Sequence, residues 1–387
     1  MNAHILSKEV QDFIVNYSEG ISKLAFSGSP FNNVSTLELI QQIESRRKAE
    51  KKLPTWHKTT NIFYPPKLNL EQTSSEITAE YKTSIVRGES LADLTGGFGV
   101  DCIYFSNKFI NVSHYEHNDS LSQIAKHNFK VLDYNNIECF KGDGVQQVSK
   151  KHYDVIYLDP SRRHNNKGKV FFLKDCEPNV PENLNFLLEH CQQLLIKTSP
   201  MLDISVGLNE LQNVKEIHIV AVNNEVKELL WLIELGFSNL PIIKTINFNK
   251  KTTESFNFKW GHKASLSYSL PKKYLYEPNA AIMKSGSFEL LSEEYKVSKL
   301  QKHTHLYTSN ELVDFPGRKF IIQKVVPFHK KEIKKLNIDK ANITTRNFYE
   351  SVAQIRKKLK IKEGGTDYLF FTTTDNNEKV ILVCSKV

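Results

Sequence analysis

The sequence predicts an α/β protein: a mostly parallel sheet covered by helices on both faces, preceded by a helical region and followed by an α+β domain. Three observations carry this. Between residues 71 and 260 short apolar runs alternate with helical stretches, the pattern of parallel strands joined by crossover helices. Residues 1–70 carry helical spacing only, and residues 261–387 mix alternating runs with a helix. At 387 residues the chain exceeds one ordinary core and suits two or three domains, here 1–70, 71–260 and 261–387.

In the first region, Val34-Ser35-Thr36 offers caps before LELIQQIESRRKAEKKL, where Leu37, Ile40 and Ile43 recur at helical spacing. Leu53-Pro54 ends that helix, and Pro65-Pro66 punctuates the connection. Its basic end (Arg46, Arg47, Lys48, Lys51, Lys52) reads as a solvated face suited to the helix dipole, or else as an RNA contact. In the second region the strands are expected at 90–94, 111–116, 137–140, 154–159, 194–199 and 215–222. Helices are expected at Gly99–Phe105, Ser120–Leu132, Glu182–His190, Asp203–Gln212 and Glu225–Leu235. The runs 242–248 and 255–260 form a hairpin around Asn249-Lys250-Lys251. In the third region 320–328 is a strand and Tyr349–Leu359 a helix. Gly364-Gly365 breaks the chain before a last hairpin, 367–374 and 379–387, around Asp375-Asn376-Asn377.

Composition excludes several classes. A hydrophobic fraction of 40% is too high for a disordered chain. No stretch approaches the roughly 18 apolar residues of a membrane span. The opening MNAHILSKEVQDF is not a signal peptide. Five cysteines without CxxC spacing support neither a disulfide framework nor a zinc cluster, and a reduced cytoplasmic protein is expected. The net charge of +9 is localised: residues 315–387 hold 16 Lys/Arg against 7 Asp/Glu, and the remainder balances at 36 of each. A basic module on a neutral body is the footprint of a polyanion partner, or else a lysine-rich solvated surface.

The segment LADLTGGFGVD carries the chemistry. A strand ends at Asp93, a tight turn holds Gly96, Gly97 and Gly99, and a helix follows. Glycines there admit a ligand to the backbone, and the helix start offers unpaired N–H groups. Alone it is equally a plain strand–helix turn. Acids at successive strand ends strengthen it: Glu116, placed to chelate a ribose diol, then Asp143 in KGDG, then Asp159-Pro160-Ser161-Arg162 at the edge where open α/β sheets bind ligands. Each acid taken singly is also a turn or cap residue.

This arrangement resembles the class I S-adenosylmethionine-dependent methyltransferases, with their Rossmann-like sheet. Cys102 stands where a dinucleotide fingerprint has its third glycine, which counts against an NAD enzyme. The resemblance implies that Asp93 holds the methionine amino group, that Thr95, Gly96, Gly97 and Gly99 line the cofactor loop, that Glu116 takes the ribose hydroxyls and that Asp143 meets the adenine amino group. It also implies that LEQTSSEITAEYK closes over the cofactor, with Glu71, Gln72 and Ser75 as polar contacts. A capped helix starting at Thr73 or Ser74 is the plainer reading. More closely, LDPSRR, IKTSPMLD, NNEVKELL, YLYEPNAAIMKSG and ITTRNF…RKKLKIKEGGTDYLF resemble bacterial methyltransferases with a C-terminal THUMP-like, ferredoxin-like α+β domain, over nearly the whole chain. THUMP modules are RNA-binding elements of RNA-modifying enzymes.

The expected activity is methylation of structured RNA, tRNA or rRNA, at a base nitrogen. Asp159 orients an amine and relieves it of a proton, and Pro160 offers a fixed carbonyl. Ser161-Arg162 replaces the usual Pro-aromatic pair. Arg162 therefore stacks on a base, grips phosphate with Arg163, or anchors the loop by a salt bridge. A pyrimidine C5 target needs a cysteine nucleophile. None follows Asp159, the fifth strand ends Lys197-Thr198-Ser199-Pro200, and Cys176 and Cys191 read as buried and inert. Asn223-Asn224-Glu225 rims the pocket or caps the next helix. The connection from Arg162 to Pro181 has the composition of a substrate-covering loop, and its lone His164 makes no metal site. Arg356, Lys357, Lys358 and Lys360, with Lys330, Lys331, Lys334 and Lys335, track an RNA backbone. The competing readings are a small-molecule or DNA methyltransferase and a non-catalytic RNA-binding protein with a vestigial cofactor pocket.

Overall fold

The computed structural model describes residues 1–162, 172–250 and 252–387. They form two units, Met1–Lys215 with Leu230–Asn239, and Glu216–Leu229 with Leu240–Val387.

The first unit begins with helices. Ser35 caps Thr36–Lys52 through a capping box with Glu38. The segment that follows is tied down by Asn128, whose side-chain amide accepts from the Phe63 N–H at 3.0 Å and donates to the Phe63 carbonyl at 2.9 Å. The sheet comprises β1 (Ser90–Asp93), β2 (Asn111–Glu116), β3 (Ile137–Lys141), β4 (Tyr153–Leu158) and β5 (Cys191–Thr198). All are parallel, in the order 3-2-1-4-5. Strand order therefore reverses between β1 and β4. That is the switch point, where helices leave in opposite directions and a crevice opens at the carboxyl ends.

Two further strands, β6 (Val214–Val222) and β7 (Glu225–Glu234), correct an expectation, because 225–235 is no helix. Residues Glu228 to Leu232 and Ile233 form an unbroken buried run. Such a run has no period to tell strand from helix. Asn223 and Asn224 both adopt positive φ, 51° and 63°, so they make the two-residue turn of a hairpin rather than a pocket rim or helix cap.

In the second unit β8 (Ile242–Phe248) pairs parallel with β6 and antiparallel with β9 (Thr253–Lys259). A second sheet holds β10 (Tyr274–Pro278), β11 (Tyr307–Ser309), β12 (Gly317–Pro327), β13 (Lys340–Arg346), β14 (Lys362–Thr373) and β15 (Lys379–Lys386). Their order is 11-10-12-15-14-13, with the helix Val352–Leu359 joining the parallel pair β13 and β14. Gly364 and Gly365 do not end a segment. They lie inside β14, at φ 102° and 85°, where the pairing with β13 shifts register. The hairpin β14–β15 forms as expected. Among the described residues no helix is long and apolar enough to cross a membrane.

Candidate active site

The glycine loop sits at the carboxyl end of β1 and is shaped by its neighbours. A Cβ at Gly96 would lie 2.3 Å from the His114 ring, and one at Gly99 would lie 2.3 Å from Phe129. A Cβ at Gly97 would meet only the Thr95 carbonyl, at 3.7 Å, but the residue takes φ 55°. The loop is thus pressed onto β2 and the helix Asp119–Val131. The Gly96 N–H donates to the Tyr115 carbonyl at 2.8 Å, and His114 Nε2 lies 3.2 Å from the Gly97 carbonyl. Burial keeps His114 below its ordinary pKa, so the neutral ring donates Nε2–H to that carbonyl. This support was not anticipated from sequence.

The expected acids converge here. Glu116 accepts the Gly97 N–H at 2.8 Å and the Asn118 N–H at 2.7 Å. Asp143 caps the helix Gly144–Gln147 through one oxygen, accepting from Val145 N–H at 2.9 Å and Gln146 N–H at 3.3 Å. Asp93 is buried. Its Oδ1 accepts the Thr95 N–H at 3.0 Å, and its Oδ2 accepts the Cys102 thiol at 3.3 Å. Burial pushes Asp93 up to about 7, with Asp101 and Asp159 adding to the rise against the Thr95 and Cys102 hydrogen bonds. Among the described residues no cation pairs with it.

Thr95 joins the two sides of the switch point. Its Oγ1 accepts the Asp159 N–H at 2.7 Å and donates to Asp93 Oδ1 at 3.3 Å. Asp159, just past β4, is about one-third exposed and forms an ion pair with Lys197 from the end of β5. Lys197 was read only as part of a strand end lacking cysteine. The parallel pairing of β4 with β5 places it.

Upstream, the inward contact differs from the expected ones. Glu71 pairs with Lys48, Gln72 is exposed at the end of the helix Lys67–Gln72, and Ser75 caps the helix Glu76–Thr83 in a capping box with Thr78. The cap is Ser75, not Thr73 or Ser74. Ser74 instead donates to Asp101 Oδ2 at 2.8 Å, beside the Tyr157 hydroxyl at 2.9 Å and the Lys82 ammonium 3.3 Å from Oδ1. Burial drives Asp101 upward, yet Lys82 and Lys197 together with these hydroxyls hold it below its ordinary value.

Residues 163–171, Arg163 and His164 among them, lie outside the described residues. Arg162 belongs to a two-residue ladder, Ser161–Arg162 against Cys176–Glu177. Cys176 is buried there. Cys191 lies at the far end of β5 from Lys197, and burial pushes its thiol up to about 12. Cys102 is buried against Asp93, and burial raises it well above the ordinary thiol range. Among the described residues no reactive thiol stands at the crevice. In the second unit Arg356 donates to the Ile361 and Ala341 carbonyls at 3.3 and 3.2 Å. Lys358 pairs with Glu350 at 2.6 Å, and Lys360 ends its helix in the left-handed region. Lys357 stays exposed.

A parallel sheet in this order, with a glycine loop after β1, acids after β2 and β3 and an Asp-Pro after β4, defines a class I methyltransferase core. The comparisons agree. Family models match a ferredoxin-like domain at residues 274–316 and a THUMP domain-like segment at residues 317–386. A crystal structure described as a putative methyltransferase from Porphyromonas gingivalis W83 is 31% identical, with a TM-score of 0.89, over 99% of this chain and 98% of that one. The chain belongs to that family, methyltransferases with a THUMP-like C-terminal domain. A curated relative, the tRNA (uracil(54)-C(5))-methyltransferase of Pyrococcus abyssi (strain GE5 / Orsay), is 28% identical over 81 residues, 21% of this chain. The chain spans only 19% of that relative's length.

Proposed function

We propose that the protein uses S-adenosylmethionine to methylate a base nitrogen of structured RNA, tRNA or rRNA, in the cytoplasm. The observation that carries this reading is the Asp93–Thr95–Asp159 bridge, which sets a cofactor-loop acid and an acceptor-side acid at one switch point.

The residues fit the cofactor. Asp93 is a buried carboxylate lacking a cation, and the ammonium of a bound methionine moiety supplies one. Glu116, fixed by Gly97, would hold the ribose hydroxyls, and the second oxygen of Asp143 would meet the adenine amino group. Gln72 would reach the pocket only from an exposed helix end, whereas Ser74 already anchors that segment to Asp101. When bound, S-adenosylmethionine supplies a methyl group on a sulfonium. The chain's own task is to align the acceptor. Asp159 Oδ1 and the Pro160 carbonyl would accept the two N–H groups of an exocyclic amine. Lys197, bonded to Oδ2, keeps the carboxylate turned toward them. With Lys197 beside it, Asp159 orients the amine, and the released proton passes to water. Arg162 and Arg163 would contact the substrate beside this point.

The Pyrococcus relative acts, by name, at uracil C5. The buried state of Cys102, Cys176 and Cys191 favours nitrogen here. The THUMP-like domain supports RNA as partner. Arg356, Lys357, Lys358 and Lys360 remain the proposed backbone contacts, with Lys357 the freest of them. The test is mass spectrometry of tRNA and rRNA nucleosides from cells with and without the gene, alongside calorimetry with S-adenosylhomocysteine. Loss of one N-methylated nucleoside is expected. An unchanged set of nucleosides would turn the assignment toward DNA or a small molecule, and absence of cofactor binding would leave an RNA-binding protein.

A further inference from the structure

Two segments singled out in the sequence, YLYEPNAAIMKSG and ITTRNF, take no part in the methyl-transfer site, and within the second unit they meet. Glu277, at the end of β10, is only 3% exposed. Its Oε1 accepts Nε and Nη2 of Arg346 at 3.0 and 2.7 Å, and its Oε2 accepts Arg318 Nε at 2.5 Å and pairs with Arg318 Nη2. Arg318 is further fixed over the rings of Phe320 and Phe370, at 5.6 and 5.9 Å. One carboxylate thus orients two guanidinium planes, whose side chains remain 39% and 35% exposed. Glu277 occupies only the Nε and Nη2 edges, and a guanidinium carries five N–H donors.

A cationic loop lies against the end of β13. Asn347 Nδ2 donates to Gln301 Oε1 at 2.9 Å and to Thr304 Oγ1 at 3.5 Å. The loop carries Lys299, His303 and His305. Lys299 is anchored on the Lys302 carbonyl at 2.6 Å, and His305 stacks on Phe288 with ring centroids 3.6 Å apart. His305 Nδ1 is buried and unpartnered. Burial, then Lys299, Arg346 and His303, push His305 down to about 4, and burial brings Lys299 to about 8 against the field of Glu289. Positive charge is gathered here beyond what Glu277 and Glu289 offset. A pair of charges alone would be satisfied by one arginine.

We propose that this corner, Arg318, Arg346 and His303 with Lys299 behind them, is a binding site for a phosphate group. Two guanidinium groups held by one carboxylate suit a tetrahedral anion with several acceptor oxygens. The phosphate comes from an RNA backbone or from a free phosphate. Only the choice of RNA rests on the proposed function, and the anion site stands without it.

The test uses the full chain with two probes. One is inorganic phosphate, read as thermal stabilisation against chloride at equal ionic strength. The other is a labelled single-stranded RNA, read by fluorescence anisotropy across salt concentrations. His303→Glu alters an exposed loop residue. The double variant Glu277→Gln/Arg346→Gln removes the buried charge together with one of its two partners, and leaves Arg318 half-exposed over Phe320 and Phe370, so that folding is expected to be retained. In both variants RNA affinity is expected to fall about fivefold or more, with the salt slope reduced by roughly one in the double variant. Phosphate stabilisation should be lost, while S-adenosylhomocysteine binding is unchanged. RNA binding equal in wild type and both variants, with phosphate indifferent to them, overturns the site and leaves the RNA reading standing. Variant-sensitive phosphate binding with no RNA bound keeps the site and sinks the RNA reading. Neither probe bound by the wild type sinks both.

Discussion

Asp93 and Asp101 are both carboxylates of the first unit, placed on either side of the glycine loop, and the fold treats them oppositely. Asp101 has Lys82, Ser74 and Tyr157 around it and is held below its ordinary pKa despite burial. Asp93 has the N–H and hydroxyl of Thr95 and a thiol, and burial carries it to about 7. The chain provides a counter-ion for one buried acid and withholds it from the other. The first is a rivet between the helices Glu76–Thr83 and Val100–Ser106 and β4. On the proposed function, the second awaits a cation that arrives with a ligand.

The largest test of this contrast is Lys82→Met. It leaves Asp101 buried without its cation and should cost about 3–5 kcal/mol of stability in denaturant titrations. The double variant Lys82→Met/Asp101→Asn should recover most of that loss. If the single variant is as stable as wild type, Asp101 is no rivet. Next, Asp93→Asn should weaken S-adenosylhomocysteine binding about 100-fold, measured by calorimetry, which is roughly 2.7 kcal/mol. The same variant sharpens the contrast through stability. The folded pKa of Asp93 lies above its ordinary 3.8. Its contribution is therefore complete below that value and disappears as pH rises through about 7. Asp93→Asn should accordingly gain thermal stability over wild type near pH 8 but not near pH 4, by roughly 1–2 kcal/mol. Cofactor affinity runs the other way. The ligand's ammonium selects the ionised acid, so affinity in the wild type should rise severalfold from about pH 6 to about pH 8 with proton release, and stay flat in Asp93→Asn.

A smaller effect separates Lys197 from both acids. Lys197→Met should lower kcat about 10–100-fold by letting Asp159 turn, with S-adenosylhomocysteine affinity kept and Lys197→Arg partly restoring the rate. Loss of cofactor affinity instead would place Lys197 with Asp93, and loss of stability would place it with the rivet. Smallest of all, Lys357→Ala should weaken RNA binding less than threefold and only at low salt, because one exposed lysine is largely screened.

Much of this site could be read from the sequence because strand ends are local. Asp93, Glu116, Asp143 and Asp159 each close an apolar run, and Gly96, Gly97 and Gly99 mark the turn between a strand and a helix. What stayed hidden depends on pairing across distance. Lys197 reads as a solvated lysine until β5 is laid beside β4. The cluster of Ser74, Lys82, Asp101 and Tyr157 draws on three elements that no motif joins. The run 225–235 reads as a helix because continuous burial erases periodicity, although Asn223-Asn224 carries the hairpin signal in residues tolerant of positive φ. Glu277 and Arg346 lie in recognisable segments and Arg318 in none, and only the ladder of β10 with β12, continued through β15 and β14 to β13, brings the three together.

The hydroxyl of Thr95 has a wider consequence. On the proposed function, the cofactor and acceptor sides share it as a common wall, so neither can be reshaped without disturbing the other. A lineage built on such a wall would change its targets by remodelling the surroundings, above all the appended THUMP-like domain, and would leave the crevice itself untouched.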